Sequence, residues 1–494
     1  MDVGIPQNFG LLRRTNVVDS VDQPIANHGT YWTNNTCRST SPLPNSSCTR
    51  GYYGQYVIMA KTKEHIKAGV DFAREKNVRL VIRNTGHDFM GRSTGYGSLI
   101  INTQSFKDVA FTTQYTGPGG YQGGAVTVGA GIQLRDLYRL ANKQRPPVVV
   151  IGGECPVSPL ICVHEPLLMI GVTDRLLDSR VVISRAGAMV QWPRFMGWVS
   201  TSFPYSARAI FFRPKLIEIF IGADQALEFK VITASGEFVT ANAAENPDLF
   251  WALKGGGPST FAVVLSVTVK TFPEVPTAGI ILNINSTHTN NMALFWKGVS
   301  AFHDLSNHWV DNGMFVYFEL NSGRLHVQPM VGPNMTAARI TEVAKPMFDA
   351  LKAAGVPYSS VTKAFPTFFD LYIDLFEDEG AGGGGMTGGR IFSRQDFLDN
   401  PGKIVNAYRT ASDNYSFMVG HIVGPGHGAP VVDNAVHPVW RNASSFTITS
   451  TFVDGNAPLA DKARAQNVIT NVVGKAFREA GPHGGAYTNE VSPA

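Results

Sequence analysis

The sequence predicts an α+β protein of more than one domain, on three observations: its length, the alternation of strand and helix patterns early in the chain, and a proline cluster after which a second run of strands begins. At 494 residues the chain exceeds what one hydrophobic core usually serves. Its 44% hydrophobic and 16% charged residues, with 50 glycines and 29 prolines, describe a folded, loop-rich chain rather than a disordered one.

The elements follow in order. Residues 1–48 read as an N-terminal extension in which Cys37 and Cys48 bracket a Pro/Ser/Asn-rich stretch, either closing a small disulfide loop or remaining free thiols. QYVIMA predicts a strand and TKEHIKAGVDFAREKN a helix, because Thr62 can cap it and Ile66, Val70 and Ala73 fall on one face. VRLVI, residues 78–82, reads as a buried strand, and NTGHDFMGRSTGYG after it as a glycine-rich loop. AVTVGAG alternates as a strand and IQLRDLYRLANKQ follows as a helix. LEFKVITASGEFVTA alternates on both sides of Ser235-Gly236, the pattern of a hairpin. NPDLFWAL gives a short helix, followed by a glycine turn and a long strand. Pro273 to Pro276 then mark the boundary between a first domain, 49–275, and a second, 276–475. The second begins with the strand ILNIN and ends with the strand SFTITSTF and the helix DKARAQNVITNVVGKAF.

Several function classes are excluded at this level. The formal charge of +4 is dispersed, with no basic run interleaved with aromatics, so nucleic acid is not an expected partner. No stretch of about 18 apolar residues occurs, so no membrane span is expected. Acceptor triplets at Asn34, Asn45, Asn285, Asn334, Asn414 and Asn442 point to the secretory route, although the Met1 end lacks the apolar core of a signal peptide; a leader encoded upstream is therefore expected. Gly380, Gly382 and Gly385 satisfy GxGxxG, but acidic residues precede them and more glycine follows, so the stretch reads as a flexible loop or lid. His421 and His427 lack partners at metal spacing and read as surface loop histidines; His164-Glu165-Pro166 lacks a second histidine, and no metal is expected.

The segment RNTGHDFMGRS is different. Gly86 and Gly91 let backbone approach a ligand closely, and turn N–H groups among Asn84, Thr85, Gly86 and His87 can form an anion-binding nest suited to a pyrophosphate. Together with VGAGIQL (128–134), GGECP (152–156), GADQALEF, NPDLFWALKGGG and the late Y-x-N-E from Tyr487, this segment resembles the vanillyl-alcohol oxidase and p-cresol methylhydroxylase superfamily. Within it, the chain is similar to the fungal berberine-bridge-enzyme-like oxidases. That resemblance implies an FAD-binding PCMH-type fold of two subdomains, plus a substrate domain with an antiparallel sheet backed by helices. It implies FAD held covalently through His87 and Cys155, with Arg83, Asn84, Thr85, Gly86, His87, Asp88, Gly91, Arg92, Ser93, Gly152, Gly153 and Asn489 around the cofactor. Tyr487 would be the base, small-molecule alcohols, sugars or amines the substrates, O2 the acceptor, and residues 476–494 the start of a return to the FAD domain. Arg390 resembles a family position near the active face of the substrate domain. Two alternatives share these residues: a secreted flavin-binding protein with little turnover, and an inactive product of a mis-spliced gene.

The second alternative arises because the resemblance fails over residues 157–221, where relatives carry a glycine-rich wall. Val157-Ser158, Val199-Ser200 and Val491-Ser492 all permit codons that read as splice donors. Between Arg175 and Trp198 the shifted frame permits the wall, with Met189-Val190, Trp192-Pro193 and Met196-Gly197 forcing glycine, alanine and glycine. The two implied introns together remove a whole number of codons, so the frame recovers at Gly222. Residues 157–221 are therefore expected to contain unspliced intron read as protein.

Overall fold

The computed structural model of the chain describes residues 11–14, 53–84, 92–152, 222–256, 261–289, 291–376, 385–427, 431–453 and 457–487. The Cys37 to Cys48 stretch and residues 157–221 lie outside the described residues.

The first sheet contains Leu11–Arg14 (β1), Tyr56–Met59 (β2), Leu80–Arg83 (β3) and Leu99–Asn102 (β4), in the order β1-β2-β4-β3. β2, β4 and β3 run parallel, which requires a crossover, and the helix Lys63–Glu75 (α1) supplies it. Thr62 caps that helix by accepting a hydrogen bond from the His65 N–H, and Ile66 and Val70 bury against Ile58, Ile82 and Ile101.

The second sheet is antiparallel: Val109–Thr116 (β5), Gln122–Gly129 (β6), Val148–Val150 (β7), Ala226–Thr233 (β8), Phe238–Asn242 (β9) and Ala262–Pro273 (β10). Its order is β5-β6-β10-β8-β9, with β7 also paired to β10. The hairpin between β8 and β9 turns at Gly236, whose φ of +84° is in the left-handed region that glycine tolerates. Both shoulders of residues 153–221 thus rest on one strand, β7 against Thr271–Pro273 and β8 against Ala262–Val269. The helix Leu134–Asn142 (α2) buries Leu134, Leu137, Tyr138 and Ala141, and Pro247–Leu253 (α3) follows β9.

The third sheet is larger: Thr277–Asn285 (β11), Phe315–Leu320 (β12), Arg324–Pro333 (β13), Ser359–Phe365 (β14), Gly385–Ser393 (β15), Phe417–Ile422 (β16) and Ala443–Phe452 (β17). All pairs are antiparallel in the order β14-β11-β13-β12-β16-β17-β15. The helices Met292–His303 (α4), Ala337–Ala353 (α5) and Pro401–Asp413 (α6) back it and share a core with one set of alternating strand residues. The other set joins the core of the second sheet. The fold is therefore α+β, with two smaller sheets and a seven-stranded sheet packed on helices.

Three sequence expectations change. The helix over DKARAQNVITNVVGKAF is interrupted, running as Leu459–Asn467 (α7), a π-helical turn Val468–Val473, and Gly474–Ala480 (α8). The glycine-rich stretch is not all loop: Gly385 to Gly389 lie in β15, paired with β17, because Gly388 admits Ile469 where a Cβ would sit 2.9 Å from that side chain. The first part of the stretch, residues 377–384, lies outside the described residues. His421 is not on a surface loop; it is fully buried in β16, where apolar residues surround it in sequence, while His427 is exposed as expected. Among the described residues, no helix is long and apolar enough to cross a membrane.

Candidate functional site

Arg83 ends β3 and Asn84 follows it, buried to 1% exposure. The Asn84 amide donates to the Ala130 carbonyl, which joins the start of the RNTGHDF loop to the VGAGIQL turn 46 positions later. Its side-chain oxygen, equally buried, has no hydrogen-bond donor among the described residues. Thr85, Gly86, His87, Asp88 and Gly91 lie outside the described residues; Arg92 and the buried Ser93 resume the chain on the other side. In the VGAGIQL turn a Cβ on Gly131 would lie 2.0 Å from the Gln104 carbonyl oxygen, so this close backbone approach admits only glycine. Gly152 is buried beyond β7, against the Tyr138 hydroxyl; Gly153 and Cys155 lie outside the described residues. Tyr138 in turn packs edge-on against Phe368 and Tyr372, at 5.5 and 5.1 Å between ring centres, from the helix Phe368–Leu375 that follows β14.

Tyr487 is 1% exposed and packs edge-on against Phe446 of β17, with ring centres 5.7 Å apart. The bridge between Gly485 and Ile391, two hydrogen bonds of 2.8 and 3.1 Å, carries the chain to that position. Asn489 lies outside the described residues. Phe446 is cross-strand partner to Ile391 on one side and His421 on the other, and His421 to Tyr317 of β12. These four side chains share one face, hereafter the inner face, which belongs to the core of the second sheet. Burial holds the His421 imidazole far below its usual pKa, so it is neutral at physiological pH.

Arg390 alternates onto the opposite face of β15. Its guanidinium donates to the Gly481 carbonyl, with Nε at 3.0 Å, and burial lowers its pKa. It therefore secures the segment leading to Tyr487 and does not reach the inner face.

A charged clamp crosses between the first and second halves of the chain. Arg441 makes a two-pronged contact to Asp224, whose Oδ1 also accepts from the Asn434 amide at 2.6 Å. Both ionised side chains are almost wholly buried. Nearby, burial pushes Lys254 down to about 8, against the pull of Asp224, and Trp251 donates to Asp433 at 2.9 Å. Sequence reasoning singled out none of Tyr317, Phe446 or Arg441, and it placed His421 on a surface loop. The available signal for His421 was its context, MVGHIV, apolar on both sides, which suits a strand better than a loop.

Residues 54–166 match the model of the FAD binding domain. The FAD-linked oxidoreductase ZEB1 of Gibberella zeae is 32% identical over 468 residues, which span 93% of this chain and 73% of that protein. The chain belongs to the FAD-linked oxidoreductases. The VAO-type flavoprotein MtVAO615 of Myceliophthora thermophila superposes with a TM-score of 0.75 at 24% identity, covering 93% of this chain and 76% of that one. The Acremonium strictum glucooligosaccharide oxidase, whose structure is described as revealing a novel flavinylation, superposes at 0.62 with 14% identity over 90% and 83% of the two chains. The fold is thus that of the vanillyl-alcohol oxidase type and its berberine-bridge-enzyme-like members. The described residues fit FAD: the buried Asn84 side-chain oxygen, which has no donor among them, can accept from a ribityl or ribose hydroxyl.

Proposed function

We propose that this FAD-linked oxidoreductase oxidises an alcohol, sugar or amine-type small molecule, with FAD held covalently by His87 and Cys155 and O2 as the final acceptor. The position of Tyr487 carries this reading: a phenol buried on the inner face, delivered there by a dedicated backbone bridge. When bound, FAD supplies the hydride acceptor. Tyr487, ionised to the phenolate, takes the substrate O–H or N–H proton at its oxygen and becomes the neutral phenol, and its burial keeps bulk water from competing for that proton. The loop from Arg83 to Ser93 holds the pyrophosphate on backbone N–H groups, and Asn84 ties that loop to the Gly129–Gly131 turn. Gly152 and Gly153 lead Cys155 to its attachment, and Asn489 supports the cofactor beside Tyr487. The glucooligosaccharide oxidase among the structural neighbours supports both a hydroxylated substrate and a covalent flavin.

The mature protein is further proposed to be secreted and glycosylated, with a domain division near residue 275 and without the intron-like parts of residues 157–221. In support of the last point, β7 and β8 sit on the same strand β10 at its two shoulders. Expressing the literal and spliced versions side by side tests the whole reading. The spliced protein is expected to be yellow and to keep its colour in the pellet after acid precipitation; a colourless spliced protein removes the flavin assignment. A transcript that retains the bases for residues 157–174 removes the splicing proposal alone.

A further inference from the structure

A cleft of about 430 Å³ opens at the rim of the second sheet, where β5, β6 and the end of β10 meet the turn from α2 into β7. Its volume falls in the range of small-molecule sites, about 300–1,000 Å³. Phe111, Pro147, Val148 and Phe272 give it apolar walls, and Arg145 and Glu274 are the charged side chains among the described residues that line it. None of these belongs to the flavin loop, to the inner face or to residues 157–221.

The two charges differ in their partners. Arg145 donates through one guanidinium nitrogen to the carbonyls of Asn142, Lys143 and Gln144, at 3.5, 3.4 and 2.9 Å, and so closes the C-terminus of α2. Glu274 accepts from the N–H groups of Val275 and Phe368, both at 3.0 Å and both on Oε1. Its Oε2 has no hydrogen-bond partner among the described residues. Those two bonds ask only for one acceptor oxygen, which an uncharged glutamine would supply equally. The carboxylate instead keeps a half-buried negative charge, and burial raises its pKa, with repulsion from Asp370 adding to the rise. An ammonium at Oε2 would supply the missing counter-charge through a charge-assisted hydrogen bond. An alcohol would bring a weaker bond, and a carboxylate ligand a further negative charge.

We propose that this cleft is a second binding site, separate from the flavin centre, which takes a small amine with an apolar ring or chain: the ammonium on Glu274 Oε2, the apolar body against Phe111 and Phe272. Anaerobic equilibrium dialysis of the spliced protein against 2-phenylethylamine, 2-phenylethanol and phenylacetate tests it. Thr112 is exposed at the cleft, so Thr112→Trp fills it at little cost in stability, and the binding this variant loses is binding in the cleft. In that component the amine is expected to bind at least about tenfold more tightly than the alcohol or the acid. Glu274→Gln, which keeps the acceptor oxygen for both N–H groups, is expected to weaken the amine about tenfold at unchanged melting temperature. No loss of amine binding in Thr112→Trp, equal or tighter binding of the alcohol or acid in the cleft, or wild-type affinity in Glu274→Gln overturns the proposal. Should Glu274→Gln fail to fold, the three probes and Thr112→Trp decide it. A protein that purifies without flavin counts against the oxidase reading alone, since the same dialysis still reads the cleft.

Discussion

The two faces of the seven-stranded sheet are made by alternate residues of the same strands, yet they are built for different ends. On the outer face Val316, Phe318, Met418, Ile422 and Phe392 pack into the helices, and His303 of α4 is closed in by Phe302, Phe318 and Tyr408 at 4.8, 4.6 and 4.8 Å. On the inner face Tyr317, His421 and Phe446 form a row that ends at Tyr487. Each face buries one histidine completely, and burial alone lowers the pKa of both. The difference lies in the company: neither ring nitrogen of His303 has a hydrogen-bond partner among the described residues and the rings of Phe302, Phe318 and Tyr408 pack on it, whereas His421 stands one ring away from a phenol at the proposed reaction centre. A perturbed histidine therefore does not mark a functional site until its neighbours are named.

This contrast can be broken in order of expected effect. Arg441→Ala would leave Asp224 charged and buried without its partner, at a cost of about 3–5 kcal/mol in denaturant unfolding. Because the clamp joins the Gly222–Gln225 segment to the chain entering β17, flavin content is expected to fall as well. Phe318→Ala and Phe446→Ala should each cost about 3–5 kcal/mol, being cavity-forming losses at fully buried sites on opposite faces. Only Phe446→Ala should also slow flavin reduction; equal kinetic damage from Phe318→Ala would erase the distinction between the faces.

A smaller effect is expected with pH. The folded pKa of His303 is pushed down to about 3 from its ordinary 6.5, so between these values the unfolded chain binds the proton and the folded one does not. Its contribution to stability is complete above about pH 6.5 and is lost as pH falls toward 3, at up to about 1.4 kcal/mol per pH unit. His303→Phe should flatten that part of the stability curve, read as urea midpoints between pH 7 and pH 4, and leave flavin chemistry unchanged.

Much of the fold was legible because it rests on local signals. Thr62 with Ile66, Val70 and Ala73 announced α1, and Ser235-Gly236 announced the hairpin at the glycine with positive φ. The π-helical turn was not legible, since Val468–Val473 satisfies an ordinary helical pattern and the wider turn depends on packing against β15 and β17. β15 was hidden by its glycines, which read as loop until Ile469 is brought against Gly388. The candidate site divided in the same way. Asn84, Ser93, Gly152 and Tyr487 could be named from short motifs, and Tyr487 does meet the sheet. The row it joins could not be named, because Tyr317, His421 and Phe446 come from three separate strands and only the sheet register aligns them.

The most direct test of the account compares the faces by chemistry rather than stability. Anaerobic mixing of the spliced, flavin-loaded protein with an alcohol or oligosaccharide that bleaches its flavin gives the rate of hydride transfer for wild type, Tyr487→Phe and His303→Phe. The account predicts that Tyr487→Phe bleaches at least about 100-fold more slowly with an unchanged resting spectrum, and that His303→Phe bleaches at the wild-type rate. Bleaching at the wild-type rate in Tyr487→Phe would contradict it.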